Sequence, residues 1–225
     1  MRNPILAMLI AAPLAAGAQS VAASQSVDAT IDRAVAAWAK VATVRGTFEQ
    51  TVSNSLTGSS ATAHGQYTQE RPNRLSIRFA APDSGAIVSD GKAVWVYLPS
   101  SAPGQVVKRP ATDRSASPID LTGQFLDAPR TKYDISAAAP RTVDGHATRG
   151  LVLVPKKGGT APFSKATVWV DDDDSLIREF EETEPSGVTR HVHITSIQTN
   201  VPIDRTAFIF TIPKGAKVVD QTKPN

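Results

Sequence analysis

The chain has 225 residues, no cysteine and a formal net charge of +3, with 24 Lys and Arg against 21 Asp and Glu. The lack of cysteine excludes disulfides, thiol nucleophiles, zinc–thiolate and iron–sulfur sites, and a lipid-bearing cysteine. The near balance of charge, with basic runs such as Lys156-Lys157 no longer than two residues and no basic stripe interleaved with aromatics, argues against nucleic acid and against a polybasic membrane anchor.

Met1-Arg2-Asn3 supplies a positive charge, Ile5 to Ala16 is a short apolar run broken by Pro13, and Ala16-Gly17-Ala18 is a small-x-small cleavage site. This pattern predicts a secretory signal peptide over 1–18, with a second possible cut after position 23; the run is too short for a membrane span. The competing reading is a hydrophobic N-terminal helix of the fold. Residues 19–225 are then one exported domain that must be stable through its core alone.

Ser26 can cap a helix over 27–42, in which Val27, Ile31, Val35, Trp38 and Val41 recur at three- and four-residue steps. Strands are expected at 44–53, 61–69, 74–80, 85–89, 93–98, 105–109, 131–138, 148–155, 165–171, 176–184 and 188–199, with a short last one at 207–212. The Gly/Ser/Asn-rich 53–60 is a hairpin loop. Leu75, Ile77 and Phe79 alternate with Arg74, Ser76 and Arg78, so one face is apolar and the other wet. Ala93 to Leu98 is apolar on both faces, preceded by the hairpin dipeptide Asp90-Gly91 and ended by Pro99. Segment 110–130 breaks the strand pattern: Pro118 suits a first helical turn, and Ile119, Leu121, Phe125 and Leu126 follow at helical spacing. No linker and no internal repeat divides the chain. About eleven sequential strands imply a strongly curved antiparallel sheet, closed or open, with the two helices over its open side. Its apolar inner face either packs as core or encloses a ligand cavity; composition alone favours the core.

Catalytic signals are weak. Ser89-x-x-Lys92 fits an acyl-enzyme pattern, but Asp90-Gly91 makes a turn where that chemistry wants a helix. His191 and His193 share one strand face without an evident third ligand, and read as a solvated face. Asp171 to Asp174 with Glu179 and Glu182 has calcium-loop offsets, but Leu176 stands where glycine is required, and a charged hairpin turn explains it better. No Gly-x-Ser-x-Gly, phosphate loop or dinucleotide fingerprint occurs. The expectation is a non-enzyme with no catalytic residue, metal or cofactor.

The order Arg71-Pro72, two strands around Pro82-Asp83, Ile87-Val88-Ser89-Asp90-Gly91-Lys92, then Trp95-x-Tyr97-x-Pro99 resembles the periplasmic outer-membrane lipoprotein carriers, the LolA-type chaperones. Phe48-Glu49-Gln50, Gly65, Ser117-Pro118-Ile119, Val168-Trp169-Val170-Asp171 with Leu176-Ile177, and Phe208-x-Phe210-x-Ile212-Pro213-x-Gly215 extend the resemblance over most of the chain; Asp120 and Gln124 make the lid region less apolar than the family pattern. The resemblance implies a single-domain, mainly β incomplete barrel with a helical lid over an apolar cavity. It implies a periplasmic, monomeric chaperone that carries acylated lipoproteins from an inner-membrane ATP-driven transporter to an outer-membrane receptor. It also implies a latch role for Arg71 between lid and sheet. On that reading Phe48, Leu75, Ile77, Phe79, Val94, Val96, Leu121 and Phe125 line the acyl-chain cavity. A lipid-binding sensor or regulator on the same sheet is the alternative, and an unrecognised hydrolase the remote one.

Overall fold

The protein, seen in a computed structural model, is described over residues 16–111 and 121–222, with residues 16–25 as backbone only. Helix α1 (Ala16–Ala39) is followed by β1 (Thr43–Asn54), β2 (Ser59–Glu70), β3 (Arg74–Phe79), β4 (Ala86–Asp90), β5 (Ala93–Tyr97) and β6 (Gln105–Pro110). A 3-10 turn at Gly123–Phe125 and the one-turn α2 (Pro129–Lys132) lead into β7 (Tyr133–Val143), β8 (His146–Pro155), β9 (Lys165–Asp171), β10 (Ile177–Thr183) and β11 (Val188–Thr199). A second 3-10 turn, Arg205–Phe208, precedes β12 (Lys217–Asp220).

The twelve strands make one sheet in the order β12-β6-β5-β4-β3-β2-β1-β11-β10-β9-β8-β7. Ten of the neighbouring pairs are sequential hairpins or the β1–β11 closure, all antiparallel. Among the described residues, only β12 on β6 runs parallel. The sheet ends at β12 and β7 without pairing them, so it is the incomplete barrel that the sequence predicts. Register shifts at Thr47/Phe48, Ile177/Glu179 and Ala138/Arg141 bend it, because an extra residue on one strand increases local twist. The β4–β5 turn shows the expected chemistry: Asp90 Oδ1 accepts the backbone N–H groups of Lys92 at 2.7 Å and Ala93 at 2.8 Å, and Gly91 adopts φ +91°.

Three expectations are corrected. Helix α1 starts at or before Ala16, not at Ser26, whose carbonyl accepts the Thr30 hydroxyl inside the helix. Ala16 to Gln25 holds no breaker but Gly17 and is rich in alanine, so nothing stops the helix at Ser26. The expected signal segment 1–18 otherwise lies outside the described residues. The strand at 207–212 does not form: Asp204 caps a 3-10 turn through Thr206 N–H at 2.9 Å, and Ile209 and Phe210 then cross the outer face of β3 to β5. A segment lying on a face has no strand edge to pair with, and the edge strand is Lys217–Asp220 instead. The lid is a 3-10 turn where the sequence spacing predicts a helix; Gly123 weakens a longer helix there, and Pro118 and Ile119 fall outside the described residues.

Candidate functional site: the covered inner face of the sheet

Antiparallel pairing puts directly opposed residues on the same face. Three rows follow from the register across β1 to β5. Val44, Gln69, Leu75, Ser89 and Val94 form the first, and Gly46, Tyr67, Ile77, Ile87 and Val96 the second. Phe48, Gly65 and Phe79 form the third. The six sheet residues singled out in the sequence therefore share one face. Phe48, Leu75, Ile77 and Val94 are at most 3% exposed, whereas Phe79 and Val96 are half-buried. Arg74 and Arg78 point the other way: Arg74 pairs with Glu70 at 2.9 Å, and Arg78 donates to the carbonyl of Ile209 at 3.0 Å.

Two glycines make this face possible. A Cβ on Gly46 would stand 2.5 Å from the Tyr67 ring, and one on Gly65 would stand 2.7 Å from the Phe48 ring. Each aromatic ring thus lies flat over a neighbouring strand where any side chain would lift it. Phe48 then meets Phe79 edge-on at 5.7 Å and Tyr67 at 6.4 Å.

The face continues through β11 to β8 as Val192, Phe180, Val168 and Leu151, opposed in register and each at most 1% exposed. Helix α1 and the turn after it cover it with Ile31, Ala34, Trp38 and Val41, all buried. The lid segment covers it with Leu121 and Phe125, at 3% and 0% exposure. Phe125 packs on Phe180 at 5.0 Å and on Phe163 at 5.8 Å, and Phe163 stacks on Tyr133 at 5.6 Å. Sheet, helix and lid form one apolar cluster. Two open clefts flank it. One of about 450 Å³ reaches Phe48, Gly65 and Phe79 at the rim beyond the end of β3. The other, about 540 Å³, lies between Val27 of α1, Arg130 of α2 and Tyr133 and Ile135 of β7.

Arg71 sits at the end of α1. Its Nη1 donates to the carbonyls of Trp38 at 2.7 Å and Val41 at 3.1 Å, and its guanidinium lies 5.5 Å from the Trp38 ring. Carbonyls at a helix terminus lack intrahelical donors, so a planar fork suits them. Its described hydrogen bonds thus reach the end of α1, not Leu121 to Leu126. Asn200 supports the same end: Ala42 N–H donates to Asn200 Oδ1 at 2.8 Å, and Asn200 Nδ2 donates to the Lys40 carbonyl at 3.2 Å. On the other side, Arg130 ties the lid region to α1 through Asp28 at 3.0 Å and Asp32 at 2.5 Å. The Arg130 hydrogen bond holds the Asp32 carboxyl below its usual range.

The inner face carries one ionic pair that the sequence reading did not single out as such. Glu182 faces Arg190 on β11 and Ala166 on β9, and is 5% exposed. Arg190 Nε donates to its Oε2 at 3.0 Å and Arg190 Nη2 donates to the same oxygen. The guanidinium rests 5.6 Å from the Phe180 ring. The available signal was period: Glu182 follows Phe180 by two positions, which puts a charge on the apolar face.

The weaker motifs resolve into structure. Ser89 is 1% exposed and donates to the Asn73 carbonyl at 2.7 Å, so its hydroxyl is committed. His191 pairs with Glu179, and His193 with Asp144 at 2.7 Å, each ring facing a different carboxylate. In the Asp171 to Asp174 turn, Asp171 Oδ2 takes Arg178 Nε and His146 Nδ1, both at 2.8 Å. Burial pushes the Asp171 carboxyl up, but the Asp173 N–H and Arg178 outweigh it and hold it below the usual range. Arg178 and His146 thus both engage one Asp171 oxygen, which the linear calcium-loop spacing does not anticipate.

Known proteins resemble this chain in sequence and in fold. The family model "Outer membrane lipoprotein carrier protein LolA" matches residues 39–211. The outer-membrane lipoprotein carrier protein of Proteus mirabilis is 27% identical over 184 residues, covering 81% of this chain and 84% of that protein. That of Klebsiella pneumoniae is 28% identical over 185 residues, covering 82% and 84%. Among solved structures, an uncharacterized conserved protein from Thermus thermophilus superposes with a TM-score of 0.55 at 14% identity, covering 88% of this chain and all (100%) of that one. MucB superposes with a TM-score of 0.50 at 15% identity, covering 87% and 66%. Both show the same fold. With a family match spanning β1 to the segment beyond β11, the chain belongs to the LolA family of outer membrane lipoprotein carrier proteins.

Proposed function

We propose that this protein shields the acyl chains of lipoproteins between the inner face of its sheet and the α1-plus-lid cover, and carries them across the periplasm. The observation that supports this best is the continuous apolar face itself: it runs from Ile87 to Leu151 and is closed by two elements that hold on at their ends through polar contacts. Exposing a sixteen-carbon chain to water costs on the order of 12 kcal/mol, at roughly 0.8 kcal/mol per methylene. Acyl chains entering this space replace Leu121 and Phe125 against Phe180, Leu75 and Ile77, so apolar contact is exchanged and little is lost. Arg71 is the polar hold at the α1 end, and loading trades its hydrogen bonds for buried area. Residues 1–18 direct export. An inner-membrane ATP-driven transporter loads the carrier, and an outer-membrane receptor with higher affinity unloads it, since transfer runs on a difference of affinities.

The test is mass spectrometry of the protein purified from periplasm without detergent, together with photocrosslinkers at Phe48, Leu75, Ile77, Phe79, Val94, Val96, Leu121 and Phe125. Bound acylated peptide and labelling from these positions are expected. Labelling only from Arg74 or Arg78 would reject the inner face as the site. Free lipid without peptide would point to a lipid-binding sensor on this fold.

A further inference from the structure

A carboxylate on an apolar face is unusual, and Glu182 is unusual in a second way. An arginine fork can give one donor to each carboxylate oxygen. Here Arg190 gives both Nε and Nη2 to Oε2. Oε1 is buried and has no hydrogen-bond partner among the described residues. Ala166 stands opposite Glu182 on β9 and Leu153 lies one strand beyond on β8, both at 0% exposure, and Phe180 lies two residues away on β10. The Tyr133 hydroxyl lies within range of its charge but donates to the Gln124 carbonyl of the lid at 3.2 Å. An enclosed acceptor left open in this way loses a hydrogen bond that water would have supplied.

We propose that Glu182 Oε1 receives an N–H donor at the head of the acyl cargo, so that this face recognises an acylated amine or amide and not acyl chains alone. The inference rests on the carrier reading and deepens it. A carboxylate only accepts hydrogen bonds. Ester and thioether groups joining acyl chains to a head only accept, so they cannot satisfy it, and a carboxylate would be repelled. The donor nearest the chains of a lipoprotein is the N–H of its N-terminal cysteine, as a free amine in a diacylated form or an amide in an N-acylated form. The ammonium of an ethanolamine phospholipid offers the same chemistry. A free amine, being cationic, gains more from Glu182 than an amide does. Lid opening also releases the Tyr133 hydroxyl from Gln124, leaving a donor beside the acceptor for an ester carbonyl. The pair would therefore fix the depth at which the head stops, with the chains running past Phe180.

The experiment measures displacement of a fluorescent acyl probe from the full chain by four palmitoylated competitors. These are a dipalmitoylglyceryl-cysteinyl peptide with a free amine, its N-palmitoylated form, dipalmitoylphosphatidylethanolamine and the methyl ether of dipalmitoylglycerol, which has neither N–H nor O–H to donate. Wild type should prefer the free-amine lipopeptide over the methyl ether by tenfold or more. Glu182→Gln should erase most of that preference while holding the methyl ether within twofold. The double variant Glu182→Met/Arg190→Met removes the buried pair as a unit, which a folded core tolerates, and should bind all four alike. A Glu182→Gln effect confined to the phospholipid keeps the donor and changes its source. Equal loss for all four competitors, or an unchanged lipopeptide preference, overturns the inference. Wild type that binds the methyl ether without preferring any N–H competitor overturns it and leaves the carrier reading standing. Wild type that binds no acyl competitor overturns both.

Discussion

The two halves of the inner face are built differently. The half on β1 to β5 is made of aromatic rings laid over glycines, carries no charge at the rows of Phe48 and Tyr67, and opens at its rim into the cleft beside Phe79. The half on β8 to β11 is packed under the lid through Phe125 and Phe163 and ends in the Glu182–Arg190 pair. One half is a wall with an open rim, and the other is a floor packed under Phe125 and Phe163. On the proposed carrier reading, this division would let one side give while the other positions the cargo.

The largest effect that tests this contrast is loss of packing on the floor. Phe125→Ala should lower stability by about 3–5 kcal/mol, the range for a fully buried aromatic. Phe79→Ala, at the half-buried rim, should cost about 1–1.5 kcal/mol on the same area scale. Chemical denaturation of both variants checks the difference, and equal losses would erase the distinction between wall and floor. Gly65→Ala comes next. Its Cβ would meet the Arg78 carbonyl and the Phe48 ring, both at 2.7 Å, so a loss of about 1–3 kcal/mol is expected. Near-UV circular dichroism should report a displaced Phe48 and Tyr67, and an unchanged spectrum would mean the rings do not depend on the glycine.

Arg71→Leu should cost only about 1 kcal/mol of stability, since the side chain is largely exposed and its two bonds are to carbonyls at the end of α1. Its effect should fall on hand-off: loading persists and delivery slows several-fold, with Arg71→Lys intermediate, in an assay that measures the two steps separately. Delivery at the wild-type rate would make Arg71 a helix-end clamp only. The smallest effect is on the outer face. Glu179 hydrogen-bonds His191 and raises its pKa above the ordinary 6.5, against burial and the neighbouring Arg141. A raised folded pKa contributes stability that is complete below 6.5 and is lost as pH rises through the folded value. The partly exposed imidazole limits it to about 0.5 kcal/mol. His191→Gln should flatten the melting temperature across that window, and an unaltered slope would assign the pH dependence elsewhere.

The wall was more legible in the sequence than the floor. Alternation of Leu75, Ile77 and Phe79 with Arg74, Ser76 and Arg78 fixes a face by strand period alone, and Asp90-Gly91 fixes the turn that continues it. The floor depends on which residues sit opposite one another across β8 to β11, and on Phe163 in a loop with no periodic signal. Glu182 was read with the acidic run near Asp171, because linear spacing mimics a metal loop; the strand pairing instead turns Glu182 inward and leaves Asp171 to Arg178 and His146. The segment after β11 was misread for a similar reason. Apolar residues at Phe208, Phe210 and Ile212 alternate like a strand, yet they lie on the sheet's outer surface.

That outer crossing has a consequence for solubility. Phe210 stacks on Trp95 at 5.7 Å, Lys108 covers the ring's surroundings at 4.9 Å, and the chain then lays Lys217–Asp220 along β6. Without this strap, β6 would present a bare row of amide and carbonyl groups beside an uncovered tryptophan, which is the pattern that recruits strands from other molecules. The strap works as an intramolecular gatekeeper. A chain truncated after residue 204 is therefore expected to keep its inner face and yet self-associate through β6, growing in size with concentration while the intact chain does not.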